Sequence, residues 1–352
     1  LKNTFRNKKV IITGHTGFKG SWLALWLKIL GANVIGLSNN IPTNPSHFKV
    51  TNLKNKIKHK KVDIRNLNQL KKIFKKNQPD YIFHLAAQSL VSKSYSDPNY
   101  TWETNTIGTL NILQSLREIK KKCVAVLITS DKSYKNLEVK RGYKENDILG
   151  GKDPYSASKA SAELAIQSQI NSFFPLKSTK VIIGIARAGN VIGGGDWSND
   201  RLIPDCVKSW SKNKKVLIRN PKSTRPWQHV LEPISGYLIL GKKLYKQPKT
   251  YSGSWNFGPN NNESKSVKDL VIEMINQMGD GKIEVEKIIA DYKESESLLI
   301  DINKAKTKLN WSPRLSFNEL ISMTLDEYQI KSLNVNEVYR QRQDHINNYF
   351  GM

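Results

Sequence analysis

The chain has 352 residues, of which 38% are hydrophobic and 24% charged, a balance that is typical of soluble globular proteins and excludes a disordered chain. The net charge of +26 allows a nucleic-acid binder, a membrane-surface protein or an enzyme for anionic small molecules, but the lysines are dispersed and no nucleic-acid-binding motif accompanies them, which favours an ordinary basic surface. The chain has only two cysteines, which excludes a disulfide scaffold. No apolar run approaches the length of a membrane span, and residues 1–9 are polar. Together these features predict a cytoplasmic protein.

The first half of the chain alternates short apolar runs with helical patterns. Helices are predicted where apolar residues recur at residues 22–30 and 67–74. The apolar runs predict six strands, at residues 9–13, 33–37, 61–64, 80–84, 124–129 and 181–185. Continuous apolar strands separated by helices are typical of a parallel sheet with both faces covered. We therefore predict an α/β fold with a Rossmann-like, doubly wound parallel sheet.

The second half is more irregular and contains shorter elements. A glycine-rich loop at 193–197 is followed by short elements at 201–210, 216–218 and 230–245. Ser266 and Asp269 resemble a capping pair at the start of a helix that ends at Met278. A strand near 283–285 and a helix near 317–328 complete the pattern. We predict a smaller C-terminal α/β substrate-binding cap at 188–352, interleaved with a dinucleotide-binding domain at 1–187.

Three glycines follow the first predicted strand directly, at Gly14, Gly17 and Gly20. Glycines at this spacing between a strand and a helix let the backbone approach a pyrophosphate, whose charge is stabilised at the helix N-terminus. The alternative is a plain tight turn. The acid that commonly binds a ribose of NAD after the second strand is absent, and Ser38 with Asn39 stands there. Since no arginine that could neutralise a 2′-phosphate stands there either, NAD is favoured over NADP.

A tyrosine and a lysine, Tyr155 and Lys159, stand four residues apart. On a helix, this spacing places both side chains on one face. A nearby ammonium group favours the phenolate, which makes Tyr155 a candidate base for a hydroxyl that is being oxidised. The alternative is an ordinary amphipathic helix face.

The order of these motifs resembles the extended short-chain dehydrogenase/reductase family of NAD-dependent nucleotide-sugar epimerases and dehydratases. The resemblance extends from about residue 9 to about residue 328. It rests on the glycine triplet, on Tyr155 with Lys159, and on residues 85–88, 129–132, 188–197 and 225–233. It implies a lyase that binds NAD and removes water from the partner molecule CDP-glucose, in deoxysugar and surface-polysaccharide synthesis.

The resemblance also implies catalytic roles. Tyr155 would take the proton of the sugar 4-hydroxyl while Lys159 holds the cofactor ribose and lowers the pKa of the tyrosine. Ser130 would hydrogen-bond the oxygen at C4. Asp131 would donate a proton to the leaving 6-hydroxyl, which requires surroundings that keep the carboxyl protonated. Lys132 stands where several relatives carry a glutamate that removes the C5 proton.

Binding residues are implied in the same way, and no metal site is predicted. Cofactor contacts are expected at Gly14, Thr16, Gly17, Phe18, Gly20, Ser38, Asp63, Ile64, Leu85, Ala86, Ala87, Tyr155 and Lys159. Substrate contacts are expected at Gln88, Asn190, Arg201, Arg219, Arg225 and His229. The arginines suit phosphate oxygens, because a guanidinium can donate two parallel hydrogen bonds.

Two other functions stay open at this point. One is an epimerase or dehydratase for another nucleotide sugar, against which Lys132 and the sequence at 225–229 argue. The other is a non-catalytic dinucleotide or nucleic-acid binder, against which the intact set of Ser130, Asp131, Tyr155 and Lys159 argues. The resemblance further implies a homodimer or homotetramer that pairs through helices at 99–116 and 155–173, with no nucleic-acid or membrane partner.

Overall fold

The computed structural model describes residues 1–139, 141–218, 220–260, 265–285, 298–330 and 333–351. The strands are β1 Lys9–Thr13, β2 Asn33–Ser38, β3 Lys58–Lys61, β4 Tyr81–His84, β5 Cys123–Ile128, β6 Val181–Ala188, β7 Val191–Ile192, β8 Val216–Ile218, β9 Thr224–Arg225, β10 Gln228–His229, β11 Gly253–Phe257, β12 Lys265–Ser266 and β13 Ile283–Val285. The α-helices are α1 Lys2–Phe5, α2 Phe18–Ile29, α3 His47–Val50, α4 Leu67–Asn77, α5 Val91–Ser96, α6 Pro98–Trp102, α7 Gly108–Leu116, α8 Pro154–Phe173, α9 Leu202–Trp210, α10 Leu231–Lys246, α11 Pro248–Tyr251, α12 Val267–Met278, α13 Phe317–Tyr328 and α14 Val335–Phe350. Single helical turns lie at Leu53–Asn55, Glu103–Ile107, Asp131–Ser133 and Ala305–Leu309.

The central element is a parallel sheet of seven strands in the order β11-β6-β5-β4-β1-β2-β3. Successive side chains of a strand point to opposite faces. On β1, Val10 and Ile12 pack in one hydrophobic cluster with Trp22 and Trp26 of α2, whereas Ile11 packs in the other with Leu113 of α7. The sheet is therefore covered on both sides, and the predicted Rossmann-like doubly wound fold is confirmed.

Two parts of the strand prediction were wrong. The third strand is β3 at Lys58–Lys61 instead of 61–64, and the apolar Val62 and Ile64 are buried just beyond its end. Because β3 pairs only with β2 at the edge of the sheet, its lysine side chains reach water and its sequence lacks the apolar signal of a central strand. The prediction also omitted β11, which comes from the second half and pairs with β6.

The second half builds its own hydrophobic cluster beside the sheet, as predicted for a smaller α/β cap. Parallel strands β8 and β13 and helices α9, α12 and α13 surround it. The cluster includes Ile203, Cys206, Leu270 and Leu320. Helix α12 begins with the predicted capping pair, in which the Asp269 amide donates to the Ser266 hydroxyl at 3.0 Å.

Helix α14 follows the predicted elements and packs back onto the sheet domain. Its residues Arg342, Ile346 and Tyr349 are buried. The Tyr349 ring meets the Trp26 ring of α2 edge to face at 5.9 Å, and its hydroxyl donates to the buried carboxylate of Glu232 on α10. This helix therefore belongs to the core of the fold. Across the described ranges, no helix is long and apolar enough to cross a membrane.

Candidate active site

The glycine-rich turn lies between β1 and α2 at the carboxyl edge of the sheet. Gly14 has a φ of +75°, and a Cβ there would come within 2.7 Å of the Ala86 backbone nitrogen. A Cβ on Gly20 would come within 2.1 Å of the Gly14 carbonyl oxygen. At Gly17, by contrast, a Cβ would meet only that same oxygen, at 3.4 Å. Gly14 and Gly20 thus permit close backbone packing, whereas Gly17 leaves the N-terminus of α2 open to an approaching anion.

Hydroxyl groups connect the ends of β1, β2 and β4 around this turn. Thr16 and Ser38 share a hydrogen bond of 2.6 Å between their hydroxyl oxygens, and Thr16 also donates to the Asn40 carbonyl at 2.6 Å. The Ala86 amide donates to the Thr13 hydroxyl at 3.3 Å. The structure therefore brings together the cofactor residues predicted in the glycine turn, at Ser38 and in the loop that contains Leu85, Ala86 and Ala87.

Ser130, Asp131 and Tyr155 form a buried polar group where β5 ends and α8 begins. The Ser130 hydroxyl donates to Asp131 Oδ1 at 2.9 Å, and the Lys132 amide donates to the same oxygen at 2.9 Å. Asp131 Oδ2 is buried and has no hydrogen-bond partner among the residues that the structure describes. Burial raises the pKa of Tyr155, and a hydrogen bond with the Ser130 side chain opposes that rise. The structure places these predicted catalytic groups in one cluster.

Two lysines lie close to this cluster. Burial lowers the pKa of Lys159 to about 8; the positive charge of Lys19 adds to this effect, and Glu163 opposes it. Burial likewise lowers the pKa of Lys19 to about 8, while the charge of Asp131 raises it and that of Arg201 lowers it. Sequence reasoning missed Lys19, although its place between Gly17 and Gly20 in the anion-binding turn was a usable signal.

Asp63 and Ile64, which were expected among the cofactor contacts, lie beyond the end of β3. Asp63 accepts hydrogen bonds from Arg65, which also pairs with Glu103 at 2.9 Å. The Arg65 guanidinium lowers the pKa of Asp63. All three residues line an open groove of about 670 Å³. Ile64 is buried and contributes packing beside the groove.

Two predicted substrate residues are engaged inside the protein. The Gln88 amide nitrogen donates to the Leu90 carbonyl and the Thr101 hydroxyl, each at 2.9 Å. The His229 side chain is fully buried, and its Nε2 lies 3.1 Å from a Glu327 carboxylate oxygen. The structure therefore does not bring the side chains of Gln88 and His229 to an open surface, since internal partners already satisfy them.

The remaining predicted substrate residues lie on the side of the second half. Arg201 is exposed, and one guanidinium nitrogen donates to the Ser89 carbonyl at 3.3 Å; its charge also acts on Tyr155. Asn190 is half-buried with a φ of +47°. Arg225 is half-buried on β9, and Arg219 lies outside the described residues. Among the predicted arginines that the structure describes, the charge of Arg201 therefore acts on the catalytic cluster.

A buried ion pair lies next to the catalytic cluster, and the sequence analysis did not predict it. The side chains of Arg187 on β6 and Glu163 on α8 are both inaccessible to solvent. The Thr129 hydroxyl, one residue before Ser130, donates to Glu163 at 3.0 Å. The pair therefore links β6 to α8 and to the end of β5, the two elements that carry the catalytic cluster.

Ser130, Asp131 and Tyr155 can each donate or accept a proton. Ser130 and Tyr155 can hold a hydroxyl or carbonyl oxygen between them, and Asp131 offers a carboxyl oxygen in a dry position. A dinucleotide fits the turn at Gly14–Gly20, because the turn leaves its helix N-terminus uncovered and places Lys19 and Lys159 nearby. This arrangement suits the oxidation of a hydroxyl group coupled to acid–base chemistry on an adjacent part of the substrate.

Comparisons with known proteins show which family and fold this chain resembles. The family model described as GDP-mannose 4,6 dehydratase matches residues 11–324. The chain is 44% identical to a CDP-glucose 4,6-dehydratase from Salmonella typhimurium, over 91% of this chain and 90% of that protein. The solved structure of a UDP-glucuronic acid 4-epimerase from Bacillus cereus, in complex with UDP-glucuronic acid and NAD, has a TM-score of 0.77 at 22% identity, covering 91% of this chain and 98% of its own. The structure of Pal from Bacillus thuringiensis has a TM-score of 0.79 at 24% identity, covering 93% of this chain and 100% of its own.

Proposed function

The chain belongs to the GDP-mannose 4,6 dehydratase family, and from this premise we propose that it dehydrates CDP-glucose to CDP-4-dehydro-6-deoxyglucose with NAD as cofactor. The observation that carries the proposal is the cluster of Ser130, Asp131 and Tyr155, which combines a site for oxidising a hydroxyl with an acid. The choice of CDP-glucose rests on the 44% identical relative, whose name specifies that substrate.

The proposed cofactor site uses the open N-terminus of α2. Backbone amides after Gly17 would hold the pyrophosphate, and Lys159 would hold the ribose near the reacting ring. Ser38 and Asp63 would contact the adenosine half, since both lie at the carboxyl edge beside the turn. Bound NAD supplies a hydride acceptor for sugar C4 and a hydride donor for C6.

The protein's own residues then handle the protons. Ser130 holds the oxygen at C4 while Tyr155 accepts the proton of the 4-hydroxyl. The ketone at C4 acidifies the C5 hydrogen, which Lys132 removes, and Asp131 protonates the hydroxyl that leaves C6. Arg201 would hold a phosphate of the substrate, and Lys19, whose pKa the charge of Arg201 lowers, would add a second positive charge beside the anion-binding turn.

The proposal extends to organisation and location. Residues 1–187 would bind the dinucleotide and residues 188–352 mainly the substrate. A homodimer or homotetramer would form through 99–116 and 155–173, and Trp102, Ile107, Leu164 and Phe173 support this because they expose large apolar side chains in these segments. A cytoplasmic location is supported by two free, buried cysteines.

Incubation with CDP-, UDP-, GDP- and dTDP-glucose in competition tests the function. The expected product has lost one water, and CDP-glucose is consumed first. CDP-glucose with deuterium at C4 should give a product with deuterium in the C6 methyl group. Turnover of another sugar nucleotide in preference would overturn the substrate, and an epimerised product that retains its water would overturn the reaction.

A further inference from the structure

The Asp131 carboxyl group lies directly against Gly189, the first residue after β6. A Cβ built on Gly189 would lie 1.9 Å from Asp131 Oδ2 and 2.1 Å from Cγ. These separations are far below a van der Waals contact, so the carboxyl group occupies the space that any side chain at this position would need. Gly189 has no positive φ that would explain the glycine by its backbone.

Hydrogen bonds hold both sides of this contact in place. The Gly189 carbonyl accepts a hydrogen bond of 2.8 Å from the side-chain nitrogen Nε2 of Gln228, which also donates to the Phe257 carbonyl at 3.1 Å. Asp131 is held through Oδ1 by Ser130 and the Lys132 amide, each at 2.9 Å. A side chain at Gly189 would therefore have to displace the carboxyl group, the smaller and more mobile of the two partners.

The two oxygens of this carboxyl group differ in their surroundings. Oδ1 accepts two hydrogen bonds, which favour the unprotonated oxygen. Oδ2 is buried against Gly189 and lacks a partner within the described part of the chain. The position of the carboxyl group is therefore fixed by hydrogen bonds on the side of Oδ1 and by the Gly189 backbone on the side of Oδ2.

We propose that Gly189 is a positioning residue for the elimination step: because it has no side chain, it leaves the space that the protonated Asp131 carboxyl group occupies. This proposal rests on the proposed function. In that step Lys132 takes the C5 proton, and the electron pair of the C5–H bond forms the C5–C6 double bond. The C6–O bond breaks with its electron pair on oxygen, which takes a proton from the Asp131 carboxyl group and leaves as water. Asp131 remains as the carboxylate.

The substitution Gly189→Ala tests this, with Gly241→Ala as the matched control. A Cβ on the buried Gly241 of α10 would meet Phe83 at an ordinary 3.4 Å. Single-turnover reactions with CDP-glucose separate C4 oxidation, followed by reduced-nicotinamide absorbance, from elimination, followed by the mass loss of one water. Gly189→Ala should slow elimination by about 100-fold, the effect of a misplacement of roughly 1 Å, and should slow oxidation far less. An equal loss in both steps would contradict a positioning role.

A double-variant cycle with Asp131→Ala shows whether Gly189 acts through this carboxyl group. Once the carboxyl group is absent, Gly189→Ala should change the residual elimination rate by less than about threefold, as for independent sites. The same large loss in both backgrounds would refute the proposal.

Thermal unfolding provides a second readout if Gly189→Ala folds poorly. Adding Asp131→Ala should then raise its melting temperature, because the clash is relieved, and no rise would refute the contact argument. This readout needs no turnover. If the wild-type protein dehydrates no sugar nucleotide, the proposed function fails while the Asp131–Gly189 contact is still tested.

Discussion

Replacing Glu163 by glutamine would remove one charge from an ion pair that has no access to solvent. The Arg187 Nε atom donates to both carboxylate oxygens of Glu163, at 2.9 and 3.0 Å. The Thr129 and Ser254 hydroxyls donate to the same carboxylate, at 3.0 and 3.1 Å. Glutamine has nearly the same shape, but its NH2 group would face these donors and leave the guanidinium charge without compensation.

The expected loss follows from the burial of both partners. Removing one member of a buried ion pair costs about 3–5 kcal/mol, because the remaining charge stays away from water. That is a large part of the roughly 5–15 kcal/mol that stabilises a typical folded protein. The exposed pair of Arg65 and Glu103 has a similar distance of 2.9 Å, but the Glu103 side chain is 58% exposed. Its loss in Glu103→Gln should cost about 1 kcal/mol or less.

Urea unfolding of the wild type, Glu163→Gln and Glu103→Gln measures this difference. The double variant Glu163→Gln/Arg187→Met should recover part of the stability, since it removes the unpaired charge. The reasoning is refuted if Glu163→Gln loses no more free energy of unfolding than Glu103→Gln does.

Three further changes test the site. Tyr155→Phe should slow C4 oxidation by about 10²–10⁴-fold, the usual contribution of a positioned base, and circular dichroism should show an unchanged fold. Near-normal turnover would contradict the role of Tyr155 as the base. Asp131→Asn keeps an acceptor for Ser130 but has no acidic proton, so reduced cofactor should appear on CDP-glucose addition with little loss of water, and equal slowing of both steps would exclude Asp131 as the specific acid. Burial lowers the pKa of Lys159 from 10.5 to about 8, so between these pH values the unfolded chain binds a proton that the folded chain lacks, and this residue makes the free energy of unfolding rise with pH. Urea titrations across this window should show a smaller rise in Lys159→Met, and identical slopes would contradict the shift.

The sequence predicted most of the sheet because its central strands carry continuous apolar runs that only a sheet covered on both faces requires. It also predicted the loops of the site, since Gly14–Gly20 and Ser130–Lys132 directly follow such strands, and the spacing of Tyr155 and Lys159 fits one face of a helix. The roles of these residues stay predictions, while their placement in one region follows from the parallel topology: the carboxyl ends of all the strands meet at one edge.

Other features had no local signal. Strand β11 reads Gly-Ser-Trp-Asn-Phe, and its polar residues are accommodated only because Asn256 finds partners such as the Tyr134 hydroxyl at 2.8 Å. Helix α14 has a mostly polar sequence, and its few buried residues contact α2 and α10 only once the chain is folded. Gln88 and His229 could not be recognised as internal residues, because a polar side chain shows its partners only once the chain is folded.

Gly189 illustrates the same limit at the scale of one atom. A glycine between a strand and Asn190 suggests a turn, and nothing nearby in the sequence reveals that a carboxyl group from residue 131 fills the space beside it. Long-range contacts of this kind depend on the pairing of β5 with β6, which brings the two strand ends together.

The entry of β11 into the main sheet determines how the chain can be divided. A cut after residue 187 would sever β6 before its last residue and separate it from β11. It would leave β6 paired only with β5, as an exposed edge strand whose residues 181–186 are all apolar or glycine. Such an edge is prone to aggregate. An isolated N-terminal fragment should therefore be insoluble, whereas two fragments expressed together should reassemble by strand pairing. Exchange of the cap between related enzymes would likewise have to leave residues 231–257, which contain α10 and β11, with the recipient's sheet.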